Sequence, residues 1–144
     1  MRARAGVAAA VLLVPLLAGC GQKSYCDRVT GHQSEIASAM HDGSRTGILA
    51  LLPAFQDLKA AAPDDVQDDY QLVITRITSL QHALDDAGVD SSSYDPRNPP
   101  PGLTPDQRAA IRRAAAALAA PDTVQALASV QQEVLDVCHT PLEL

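Results

Sequence analysis

Between Pro63 and Gly88 the apolar residues fall at Val66, Tyr70, Val73, Ile77, Leu80 and Leu84. The steps alternate between four and three residues. An α-helix turns such a run into one continuous stripe, because its side chains return to the same face every 3.6 residues. A strand would scatter the same residues over both of its faces. A stripe this long is stable in water only when other helices cover it. Pro63 and Asp64 give the helix a start, and Gly88 is placed as its C-terminal cap. The chain is thereby committed to helix-on-helix packing.

The remaining segments follow the same pattern. A first helix is predicted from about Tyr25 to His41, with Ser24 as N-cap and Asp27 three residues on. Its stripe is Tyr25, Val29, His32, Ile36 and Met40, and Asp42-Gly43-Ser44 reads as its stop. A second helical region runs from Thr46 to about Ala61, with Ile48, Leu51, Leu52, Phe55 and Leu58 on one face. Pro53 lies inside it and removes an internal hydrogen bond, so this region is expected to kink or to restart near Pro53. Residues 88–103, including "SSSYDPRNPPPG", lack helical period and read as a surface connection of polyproline character. Thr104, Pro105 and Gln107 form the signature of a capping box, opening a helix with Ile111, Ala114, Ala115 and Leu118 inward. Pro121 ends it. A last helix is predicted from about Asp122 to Cys138, with Val124, Leu127, Val130, Val134 and Val137 inward, ended by His139-Thr140-Pro141. The expected fold is all-α, an antiparallel bundle of four to five helices.

The amino terminus follows a different logic. Met1-Arg2-Ala3-Arg4 is basic, and Ala5 to Gly19 carries no charge. That apolar run falls short of the ~20 residues a spanning helix needs, and its flanks suit a secretory signal. It ends in Leu17-Ala18-Gly19-Cys20, which resembles the lipobox of bacterial lipoproteins. The resemblance implies a signal peptide over residues 1–19, cleavage before Cys20, and acyl chains of the palmitate kind on Cys20. It implies a lipidated tether over residues 20–24 and a single helical domain over residues 25–144. The alternatives are an uncleaved anchor helix, or an ordinary signal that leaves Cys20 a thiol. "AAPDDV" at Ala61 to Val66 and "DVCHTPLEL" at the carboxyl end also resemble small, acidic, alanine-rich helical lipoproteins of actinobacteria. That resemblance brings no catalytic residue with it.

Lipid on Cys20 would leave two of the three cysteines, Cys26 and Cys138, for one disulfide in an oxidising compartment. Two buried free thiols are the alternative. Cys26 falls in the first turn of the first predicted helix and Cys138 in the last turn of the last. A bridge would set those helices side by side and close the bundle. An extended tether from Cys20 to Cys26 would reach roughly 20 Å, keeping the domain near the bilayer.

Met1 to Gly19 carries two arginines and no acid, so its removal takes the formal net charge from −6 to −8. An acidic body excludes nucleic acid as an expected partner and assigns membrane contact to lipid rather than to a basic patch. With no tryptophan and four other aromatics, a base- or sugar-stacking platform is not expected. The histidines, His32, His41, His82 and His139, lack metal-ligand spacing. The pairs Asp64-Asp65, Asp68-Asp69 and Asp85-Asp86 read as solvated faces and helix-start charges rather than a calcium loop. No nucleophile stands in a recognised motif, so neither catalysis nor a cofactor is expected. Tyr94 and Arg97, among the prolines, are the candidate interaction loop. The leading expectation is a lipid-anchored, non-enzymatic domain on the outer face of the cell membrane that works through an unidentified protein partner. The second is a carrier of a small apolar ligand held between helices, suggested by the room that Ala114 to Ala117 leave.

Overall fold

The structure is a computed structural model in which residues 19–41, 47–95 and 97–144 are described. Residues 1–18, with the signal segment and Leu17-Ala18 of the lipobox-like sequence, lie outside the described residues, as do the stop signal Asp42-Gly43-Ser44 and Thr46. Six α-helices and one 3-10 turn make up the described regular structure. They are α1 (Gly19–His41), α2 (Gly47–Ala50), α3 (Leu52–Lys59), α4 (Gln67–Asp85), α5 (Pro105–Leu118) and α6 (Pro121–Cys138). The 3-10 turn Asp64–Val66 leads into α4. The fold is an all-helical bundle closed by a disulfide between Cys26 and Cys138, whose Cα atoms lie 5.3 Å apart.

The local devices stand where their residue types place them. Pro53 splits the second region: α2 ends at Ala50, and α3 begins at Leu52 with the proline in its first turn, where its missing N–H costs nothing. Thr104 accepts from the Gln107 backbone, and the Gln107 side chain accepts from the Thr104 backbone, so the capping box is complete. Gly88 adopts a left-handed φ of 68°. Val89 N–H donates to the Leu84 carbonyl and Gly88 N–H to that of Asp85. This is the Schellman arrangement, with the side chains of Leu84 and Val89 both buried in the core.

Three expectations are corrected. α1 begins at Gly19, not Tyr25, and Ser24 lies inside it. No proline stands between Pro15 and Pro53, so nothing in the backbone enforces a start at Ser24, and residues 20–24 are helical. Met40 is exposed, because Ala39 takes the core-facing place at that turn. A side chain at Gly47 would collide with the Ala39 carbonyl, so glycine there lets α2 close on α1. Val124 is exposed and Thr123 is buried in its stead. The Thr123 hydroxyl donates to the Ala117 carbonyl at 2.8 Å, and a satisfied hydroxyl can face the core where an unpaired one could not.

α4 is the axis of the bundle and packs against α2, α3, α5 and α6. Its whole expected stripe is buried, with Ile74 added. The side-chain bonds along it give the order of the last two helices. Gln107 of α5 reaches the Asp86 carbonyl at the end of α4. Asp122 of α6 pairs with Arg76 at mid-helix. Glu133 and Gln132 of α6 share a cleft with Asp65 and Asp69 at the start of α4. Thus α5 lies along the C-terminal half of α4 and α6 along its N-terminal half, both running against it, with the Pro121 break between them. α1 packs against α2, α3 and α6 and meets α4 across the core through Tyr25 and Tyr70.

Burial of apolar side chains holds this arrangement. Each fully buried Leu, Ile, Val or Phe contributes about 1.5–3 kcal/mol, and Val29, Ile36, Leu51, Phe55, Leu58, Ile77, Leu84 and Ile111 all qualify. The ion pairs Arg28–Asp57 and Arg76–Asp122 join half-buried to exposed side chains and add on the order of 1 kcal/mol each.

Candidate functional site

Two ends of the bundle follow from this order. The first, the cysteine end, collects the start of α1, the start of α4 and the end of α6. The second, the loop end, collects the end of α4, the start of α5 and residues 88–103.

At the cysteine end Cys20 lies within α1, six positions ahead of Cys26. At 1.5 Å per residue along a helix that separation is about 9 Å, less than half the reach of an extended tether. The disulfide then joins α1 to the last turn of α6. Behind it the Tyr25 and Tyr70 hydroxyls, both fully buried, lie 2.8 Å apart in a hydrogen bond. Their rings meet edge to face, 6.5 Å between centroids, and Phe55 lies against Tyr70 at 6.4 Å. Burial pushes both phenols above their ordinary pKa, so they stay neutral.

Asp65, Asp69, Gln125, Ser129, Gln132 and Glu133 line an open cleft of about 510 Å³ between α4 and α6. Partial desolvation, with Asp65 and Asp136 nearby, raises the Glu133 carboxyl above its ordinary value. Asp64, Asp65 and Asp68 are exposed, as are Asp85 and Asp86 at the other end of α4, in keeping with solvated charges. Among the described residues no group of three or more His, Cys, Asp or Glu is arranged to hold a metal ion.

His32, on the stripe of α1, is half-buried. Its Nδ1 meets Glu35 at 3.1 Å and its Nε2 meets Asp57 of α3 at 3.0 Å. Arg28 pairs with the same Asp57 carboxylate and donates to the Asp57 carbonyl at 2.9 Å. The Glu35 hydrogen bond, with that of Asp57, raises the His32 pKa against the smaller effect of burial. Both ring nitrogens are engaged by carboxylates, so the imidazole serves as a tie between α1 and α3. His41 pairs with Glu143 at 2.9 Å.

At the loop end Tyr94 packs against the core while Arg97 is exposed. Tyr94 anchors the loop onto α5 beside Leu103, Ile111, Arg108 and Arg112. Sequence reasoning singled out Arg97 and passed over Arg108 and Arg112. Their separation of four residues flanking Ile111 was the available signal, because such positions share a helix face.

No helix among the described residues is long and apolar enough to cross a membrane. No protein-family model, curated protein or solved structure matches the chain.

Proposed function

We propose that this chain is a lipoprotein of the outer face of the cell membrane, held by acyl chains on Cys20, whose helical body works through protein contacts rather than catalysis. The observation that carries the reading is the fate of the three cysteines. Cys26 and Cys138 are bonded to each other, and Cys20, the one left over, closes the lipobox-like Leu17-Ala18-Gly19-Cys20. An exported chain with an odd cysteine needs an explanation for it, and lipidation supplies one. Two acyl chains suffice for lasting attachment, at roughly 0.8 kcal/mol per buried methylene.

The helical run through residues 20–24 has a mechanical consequence for this reading. Cleavage before Cys20 would leave the lipid on a residue already within α1, with no extended slack before the bundle. The cysteine end would then lie against the bilayer and the loop end would face outward. Four acids at the start of α4, Asp64, Asp65, Asp68 and Asp69, would repel an anionic lipid surface, so adhesion would rest on the lipid alone. The loop end would be the face offered to partners.

The test is a Cys20→Ala variant expressed beside the native chain. The native protein is expected in the membrane fraction, with intact mass matching cleavage before Cys20 plus acyl groups. The variant is expected to be uncut or released. A variant that stays membrane-bound and correctly cut, or a native protein without acyl mass, overturns the proposal.

A further inference from the structure

The loop end contains a pocket that the lipid anchor does not explain. It has a volume of about 190 Å³ and is lined by Tyr94, Pro99, Leu103, Arg108, Ile111 and Arg112. Its chemistry has two halves. Ile111 and Leu103 are buried and form an apolar floor, with Pro99 and the Tyr94 ring as further apolar wall. Arg108 and Arg112 stand one helical turn apart on α5, on the face that the pocket uses.

Both arginines are exposed, and neither takes part in an ion pair among the described residues. Arg108 gives one N–H to the Leu103 carbonyl at 2.8 Å. That bond fixes the guanidinium at the rim and leaves its other donors for a guest. Both guanidiniums therefore stand beside an apolar hollow with no carboxylate partner among the described residues.

The size limits the guest. A cavity of about 150 Å³ holds a benzene molecule, so this one holds about one ring or an equally compact branched chain. The two arginines demand negative charge, and a planar carboxylate matches the fork of a guanidinium.

We propose that this pocket binds a small monocarboxylate with a compact apolar body, the body resting on Ile111 and Leu103 and the carboxylate accepting hydrogen bonds from Arg112 and Arg108. The Tyr94 ring closes one side, so the proline-rich segment is the wall of the site. The pocket differs from the expected apolar cavity at Ala114 to Ala117 in place, being lined by the preceding turn of α5 at Arg108 to Arg112, and in chemistry, being anion-selective. It does not depend on how the chain is attached to the membrane.

The chain has three tyrosines, and two of them form the buried pair. Ring-13C tyrosine labelling of the full chain in nanodiscs therefore gives one reporter at the pocket and two internal references. The Tyr94 signal is assigned with Tyr94→Phe. The probes are 3-phenylpropionate and its neutral counterpart 3-phenylpropanamide, which enters lipid at least as readily. The propionate is expected to shift the Tyr94 signal saturably and leave Tyr25 and Tyr70 in place. The amide and the Arg112→Gln variant are each expected to weaken binding by about tenfold or more, the fold-change for loss of a charge-assisted hydrogen bond. Arg112 is exposed, so the variant should fold, which unmoved Tyr25 and Tyr70 signals would establish. A Tyr94 signal that does not saturate, equal responses to acid and amide, or full binding by a folded Arg112→Gln protein overturns the proposal.

Discussion

The cysteine end and the loop end are held by different kinds of contact. The cysteine end is tied by partners far apart in sequence: a disulfide across 112 residues, a tyrosine pair 45 apart, and Gln33 donating to Thr140 and the Pro141 carbonyl at 3.1 and 2.8 Å. The loop end is tied mostly by neighbours, with Tyr94 against α5 and the Gln107–Asp86 bond as its longer reaches. Asp90 accepts from the Ser92 backbone and Asp95 from that of Arg97, Gly88 completes the cap of α4, and Thr104 and Gln107 cap each other. Contacts between distant residues form only when the whole fold is present, whereas a turn or cap needs only its own few residues. The cysteine end should therefore report global stability, and the loop end should be able to loosen without unfolding the bundle.

The largest break in this contrast is loss of the disulfide. Replacing Cys26 and Cys138 with serine releases a loop of 112 residues, which in the chain-entropy account is worth up to about 5 kcal/mol. Urea unfolding of the two forms checks it. A loss under about 1 kcal/mol would mean that the cysteine end owes its order to apolar packing alone. Next comes Tyr70→Phe, which strands the buried Tyr25 hydroxyl and should cost about 1–3 kcal/mol. The double variant Tyr25→Phe, Tyr70→Phe should recover part of that. Strictly additive losses would mean that the two hydroxyls do not depend on each other.

Gly88→Ala sharpens the other side of the contrast. A Cβ at Gly88 meets open space, so its cost is the left-handed backbone alone, about 1 kcal/mol. Hydrogen exchange should rise at Val89 and the last turn of α4 and remain unchanged near Tyr25 and Tyr70. An even rise throughout would merge the two ends into one cooperative unit.

The smallest effect concerns His32. Its pKa is raised in the fold, by Glu35 first and Asp57 as well, so folding favours the protonated form. Its contribution is fully present below the unfolded histidine value near 6.5 and is lost as pH rises through the higher folded value. The stability difference between the native chain and His32→Gln should accordingly shrink from pH 6 to pH 8. A constant difference would assign His32 a packing role only.

The same contrast explains what the sequence made legible. The stripe of α4, the Pro53 restart, the Gly88 cap and the Thr104–Gln107 box each lie within a short stretch, where residue type and spacing are the whole cause. Leu142 is fully buried, yet nothing in Pro141-Leu142-Glu143 signals that the tail folds back along α1. Thr123 displaced Val124 because the Ala117 carbonyl, six residues earlier, accepts its hydroxyl, and hydropathy does not register such a partner. The arginines of the pocket were passed over, although their four-residue spacing placed them on one helix face. Their meaning depended on Tyr94 and Pro99 arriving from the preceding loop, and periodicity along a helix says nothing about what covers it.

The disulfide also decides what a protease could achieve. Residues 97–102 are exposed and hold the proline-rich connection, the natural place for a nick. A cut there would divide the polypeptide but not the molecule, since Cys26 and Cys138 lie on opposite sides of it. The severed half would stay attached and folded against its mate, and shedding would require a reductant as well as a blade.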